Sequence, residues 1–89
     1  MKEISHLQSS YNLTGGQVVS VEINMQANVM LMDSQNYSSY RNRRGFKYYG
    51  GSFKRSPANI QVPHTGLWYV VVDLGGGSGR ISTSIRILG

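Results

Sequence analysis

The chain has 89 residues, nine Lys or Arg against four Asp or Glu for a net charge of +5, and no cysteine. Disulfides and thiolate metal sites are excluded, and with only His6 and His64 a multi-histidine metal centre cannot form within one chain. The start Met1-Lys-Glu-Ile-Ser-His-Leu7 lacks the apolar run of a signal peptide. The longest apolar run, residues 67–72, is too short to span a bilayer. These features predict a cytoplasmic protein without a membrane partner. The length predicts one domain, residues 1–89, that buries only about 60–65 % of its unfolded surface, so a homo-oligomer is a natural option.

Along the chain, apolar residues recur with a period of two. A first short strand is expected over residues 4–7, followed by turn chemistry in Asn12-Leu-Thr-Gly-Gly16. In 17–25, Val19, Val21, Ile23 and Met25 share one face, with Ser20, Glu22 and Asn24 on the other, as in a half-buried strand. Residues 27–32 place Ala27, Val29 and Leu31 opposite Asn28, Met30 and Met32. A polar stretch, 33–45, is expected to be loop, and a short strand is expected near 46–49. Ala58, Ile60 and Val62 alternate with Asn59 and Gln61. After the turn Pro63-His-Thr-Gly66, residues 67–74 are apolar on both faces and predict a central strand carrying a core tryptophan, Trp68. Gly75-Gly-Gly-Ser-Gly79 predicts a hairpin turn, and 80–88 alternates again through Ile81, Thr83, Ile85 and Ile87. No sustained helical stripe is visible. The predicted fold is all-β: a small sandwich or partly open barrel of six to seven short, mostly antiparallel strands.

Charge is unevenly distributed. Arg41, Arg43, Arg44, Lys47, Lys54 and Arg55 fall within fifteen residues that contain no acid, and the rest of the chain has a balance of −1. Tyr37, Tyr40, Tyr48 and Tyr49 are interleaved with these cations. Localised positive charge concentrates anions, the arginine fork matches phosphate, and tyrosine can stack or hydrogen-bond. The competing reading is a solvated loop that aids solubility. Of Tyr48 and Tyr49, adjacent in a strand, one is expected to pack inward and the other to remain free.

Other candidates have structural readings beside functional ones. His64, in a turn, could act as a base only with a nucleophile and an orienting acid, and no spacing supplies them; a hydrogen bond within the turn is favoured. Asp33 follows a strand end and favours a turn-capping role over contact with a ribose hydroxyl. Asp73 lies in an apolar strand and needs a partner, for which Arg80 is the expected cation. The Gly-rich run lacks the following helix that a phosphate loop requires.

The run Ala27-Asn-Val-Met-Leu-Met-Asp-Ser-Gln-Asn-Tyr37, then Tyr40-Arg41, Tyr48-Tyr-Gly-Gly51, Arg55-Ser-Pro57, residues 62–76 and Gly79-Arg80 together resemble the DUF1883 domain family, over roughly residues 4–88. The resemblance implies an all-β domain with coiled, bifurcated sheets, sometimes joined to TIR domains that cleave NAD or make nucleotide signals in bacterial and phage defence. It carries onto Asp33, Asn36, Tyr37, Tyr48, Gly50, Ser56, Pro57, His64, Trp68 and Asp73, and implies no activity or cofactor. The third glycine of Gly75-Gly-Gly77 departs from the larger residue common in relatives.

The resulting expectation is a non-enzymatic binding module without a cofactor. Its partner is an anionic, nucleotide- or NAD-derived signalling ligand that the module senses or sequesters. The candidate ligand-binding residues are Asn36, Tyr37, Tyr40, Arg41, Arg43, Arg44, Lys47, Tyr48, Tyr49 and His64. The alternatives are a nucleic-acid-binding module and a protein-interaction or assembly module.

Overall fold

The computed structural model describes residues 6–75 and 81–89. Within them run β1 (His6–Leu13), β2 (Val18–Ile23), β3 (Ala27–Met32), α1 (Ser34–Arg41), β4 (Tyr49–Phe53), β5 (Ala58–Gln61), β6 (Gly66–Asp73) and β7 (Thr83–Leu88). Two antiparallel sheets form, one ordered β1-β6-β3-β4 and the other β5-β2-β7. The architecture is an all-β sandwich that does not close into a barrel.

The alternation seen in the sequence sets the core. Leu13, Val29, Leu31, Trp68, Val70 and Val72 of the four-stranded sheet meet Val19, Val21, Ile23, Ala58 and Ile60 of the three-stranded sheet, with Val62 alongside. Ile81, Ile85 and Ile87 pack against this cluster while partly exposed. Each such aliphatic side chain contributes about 1.5–3 kcal/mol when fully withdrawn from water. β6 is interior, between β1 and β3, as its two apolar faces predict. Its second face carries Val71, which joins Met30, Met32 and Tyr40 in a smaller core. Met25, expected on the buried face of its strand, is instead exposed beyond the end of β2.

Helix α1 covers that second face and corrects the loop expected over 33–45 as far as Arg41, while residues 42–45 lie outside helix and strand as expected. Six of its eight residues are polar, and serine and asparagine are weak helix formers, so no apolar stripe announces it. An isolated helix this short would be marginal. Its ends and its tyrosines hold it. Asp33 is the N-cap, its Oδ1 accepting from the Asn36 N–H at 2.8 Å. After the C-cap Asn42, Arg43 turns left-handed with φ 58°. The Arg43 N–H then donates to the Tyr40 carbonyl at 3.2 Å and the Arg44 N–H to the Ser39 carbonyl at 2.8 Å. This is the Schellman arrangement, with arginine where glycine is usual.

Three further expectations shift. β1 extends through Asn12 and Leu13, which pair with Leu67 and Gly66; residues 4 and 5 of the expected first strand lie outside the described residues. The strand expected near 46–49 begins only at Tyr49. Gly50 takes φ 121°, and a side chain there would collide with the Val29 carbonyl oxygen, so glycine is required for β4 to lie this close to β3. Most of the expected Gly-rich hairpin, with Arg80, lies outside the described residues.

Candidate functional site

The end of β3, the first turn of α1, the segment leading into β4, and the turn before β6 enclose a cleft of about 500 Å³. Leu31 and Met32 supply apolar lining, and Phe46, Tyr48, Tyr49, His64 and Trp68 supply rings. Asp33, Asn36 and Lys47 supply the polar groups.

The walls are fixed by specific bonds. Asn36 donates through Nδ2 to Asp33 Oδ1 at 2.9 Å and accepts at Oδ1 from the Lys47 N–H at 2.7 Å. One side chain thus fastens the Lys47 segment to the start of the helix. The Trp68 indole N–H donates to the His64 carbonyl at 2.9 Å, giving the indole the partner it needs and holding the His64 turn over the strand. The His64 ring lies 4.9 Å from that of Trp68, and Tyr49 meets Trp68 edge-on at 5.9 Å. Phe46 stands 5.6 Å from Tyr48.

Tyr48 is 45 % and Tyr49 48 % exposed, so neither packs inward as expected for one of them. The reason is position: β4 starts only at Tyr49, at the edge of the four-stranded sheet, so Tyr48 precedes the strand and both rings border the cleft.

The ten candidate residues do not form one site. Asn36, Lys47, Tyr48, Tyr49 and His64 line the aromatic cleft. Tyr37 and Arg41 line a second cleft, of about 370 Å³, with Ser34, Ser38, Asn42 and Tyr69. Arg43 and Arg44 are exposed and line neither cleft. Tyr40 is only 6 % exposed, and its hydroxyl donates to Asp73 Oδ2 at 2.6 Å, so it is an anchor of the fold rather than a ligand contact. Burial, aided by that bond and by the negative charge of Asp73, pushes the Tyr40 hydroxyl far above its ordinary pKa. Asp73 also accepts from Asn28 Nδ2 and the Gly75 N–H, each at 2.9 Å. Three neutral donors therefore satisfy the carboxylate for which Arg80 was the expected cation; Arg80 itself lies outside the described residues.

The basic segment is also divided. β4 separates Arg41, Arg43, Arg44 and Lys47 from Lys54 and Arg55, and a strand of that length sets the groups roughly 20 Å apart. Phe46, Trp68, Leu31, Met32 and Asp33 were not among the candidates for the cleft. The signal for Trp68 was present, because a large ring near the start of a central strand borders the sheet end, yet burial and lining are not exclusive. Among the described residues no three His, Asp or Glu side chains gather as a metal site would require.

His64 has the turn hydrogen bond expected of it in weak form, Nδ1 lying 3.4 Å from the Thr65 carbonyl oxygen. His6 Nε2 lies 3.0 Å from the Tyr37 hydroxyl, and Tyr37 stacks on Tyr69 at 4.5 Å.

The fold and the cleft define a small all-β domain with an aromatic-walled cleft at one end of its sandwich. The chain belongs to the family described as a domain of unknown function, DUF1883, whose model matches residues 3–89. No curated protein and no solved structure matches it.

Proposed function

We propose that the domain binds, without transforming it, a small ligand of the mononucleotide class in the aromatic cleft. The observation that carries the reading is the grouping of Tyr48, Tyr49, His64 and Phe46 around a cleft whose one cationic side chain is Lys47. Aromatic rings receive the π-face of any base, worth about 1–3 kcal/mol for each stacked base. Lys47 offers one positive charge to a phosphate. Asp33 Oδ2 is available to accept from a ribose hydroxyl or an exocyclic amine, because the bonds that cap the helix use Oδ1. One cation suits one phosphate group better than a polyanionic strand, and the division of the basic segment points the same way. Among the described residues no carboxylate is hydrogen-bonded to His64 to orient it as a base. Within the class, an NAD-derived nucleotide signal is the occupant that the resemblance to TIR-linked domains favours, with sensing or sequestration as the role.

Trp68 is the chain's one tryptophan and borders the cleft, so its emission is the natural readout. Titration with adenosine monophosphate should quench it, and adenosine should bind more weakly. Tyr48→Ala or Tyr49→Ala should weaken binding at least tenfold while leaving the melting temperature close to that of the wild type. No quenching by any mononucleotide at millimolar concentration would defeat the proposal. Tight binding of a short oligonucleotide with a steep loss between low and moderate salt would replace it with nucleic-acid binding.

A further inference from the structure

We infer that the second cleft is a separate site for a phosphate-class oxyanion, held by Arg41. Ser34, Tyr37, Ser38 and Arg41 fall at positions i, i+3, i+4 and i+7 of α1, so they form one face of the helix. That face borders Tyr69, on the side of β6 away from the main core, and with Asn42 closes a cleft of about 370 Å³.

Four observations point to an anion. Among the described residues no Asp or Glu lines the cleft. The Arg41 guanidinium lies 5.9 Å from the Tyr37 ring centroid, which orients it, while no carboxylate among the described residues consumes its donors. The Ser34 and Tyr69 hydroxyls likewise make no hydrogen bond within the described residues, although each borders the same space. The floor is rigid: Tyr37 is sandwiched against Tyr69 at 4.5 Å with its ring nearly parallel, at 12°, and its hydroxyl is held by His6. A fork of five donors and two unused hydroxyls, around a cleft with no carboxylate among the described residues, is complementary to tetrahedral oxygens. An exposed arginine in the last turn also favours the helix dipole, but that role needs neither the hydroxyls nor the cleft.

The cleft also has room beyond a lone anion. Ser34 and Arg41 are separated by about 10 Å along the helix axis. A phosphate at Arg41 therefore leaves space toward Ser34 for a hydroxyl-bearing body. Free phosphate and a sugar phosphate share the recognised chemistry.

The test uses isotope-labelled protein titrated separately with inorganic phosphate and with ribose 5-phosphate at constant ionic strength. Both should shift the amides of Ser38, Arg41, Asn42 and Tyr69. Arg41→Gln should raise the apparent Kd at least tenfold, and Tyr69→Phe, which keeps the stacked ring, a few fold. Tyr48→Ala should change neither, which separates this site from the aromatic cleft. Tighter binding of ribose 5-phosphate identifies the ester as the natural source, and equal binding identifies the free anion; either supports the site. Shifts that spread over Arg43, Arg44, Lys54 and Arg55 and persist in Arg41→Gln would overturn it, as would the absence of shifts with both probes.

Discussion

The Tyr40 hydroxyl donates a 2.6 Å hydrogen bond to Asp73 Oδ2, and this contact bolts the helix to the four-stranded sheet. The helix so held contributes Asn36, with its N-cap Asp33, to one cleft and Ser34, Tyr37, Ser38 and Arg41 to the other. The geometry of both clefts therefore rests on a pair that faces neither.

Asp73→Ala should destabilise the domain by about 3 kcal/mol. The buried Tyr40 phenol loses its acceptor, at about 1–3 kcal/mol for a stranded donor, and Asn28 and the Gly75 N–H lose theirs at partly exposed sites. Asp73→Asn should cost about 1 kcal/mol, because the amide oxygen still serves Asn28 and Gly75. Urea denaturation measures both. Equal midpoints for wild type and the alanine variant would show that the contact contributes nothing to stability.

Alkaline pH should act through Tyr40. Its folded pKa is raised above the ordinary 10.0, chiefly by burial and then by Asp73. The stabilisation is thus complete below about 10, and it is lost as pH rises from there toward the folded value, because the unfolded chain sheds the proton first. Wild-type stability should decline above pH 10 more steeply than that of Tyr40→Phe. Parallel stability profiles for the two proteins would contradict this.

Arg43 occupies a left-handed position that glycine takes without penalty. Arg43→Gly should be more stable than Arg43→Ala by about 1 kcal/mol. The comparison between the two variants isolates the backbone, since both remove the arginine's own contacts. Identical thermal midpoints would mean that the turn relaxes around either residue.

Gly50 and Gly51 should differ on substitution. Alanine at 50 meets the Val29 carbonyl oxygen and the Ile60 side chain, whereas alanine at 51 enters open space. Both positions have positive φ, so each change carries backbone strain of about 1–3 kcal/mol. Gly50→Ala should lose at least about 2 kcal/mol more than Gly51→Ala. Circular dichroism melts of the pair decide the matter.

The sandwich was legible because period-two alternation is a direct consequence of strand geometry, and Val19, Val21, Ile23, Val29 and Leu31 obey it. The doubly apolar stretch at Leu67 to Leu74 correctly marked an interior strand, since a strand covered on both faces has no polar side to show. α1 was hidden for a physical reason. Its affinity for the sheet comes from two aromatic rings at Tyr37 and Tyr40, three positions apart, and its stop signal is an arginine rather than a glycine. Missing the helix also misplaced the candidate site. A loop lets Tyr37, Tyr40, Arg41 and Lys47 face one ligand, but a helix sends Tyr40 into the sheet, Arg41 to one side and Asn36 to the other. Half of the candidates nevertheless share the aromatic cleft, because Lys47, Tyr48 and Tyr49 are contiguous and the Asn36 side chain reaches across to them. The Asp73 partnership was legible as a need: a carboxylate among valines requires donors, and among the described residues Tyr40, Asn28 and Gly75 supply them.

The position of β6 has a consequence for how the chain acquires its structure. β6 lies between β1 and β3, so these two strands gain their shared neighbour only once residues 66–73 are in place. β2 waits in the same way for β5 and then for β7. The pairings of the sandwich therefore close loops of long sequence separation. Such topologies fold on the slow side, in about milliseconds to seconds. A circular permutant that begins at β6, so that only β7 separates it from β1, should shorten that separation while keeping the strand pairings of the finished domain.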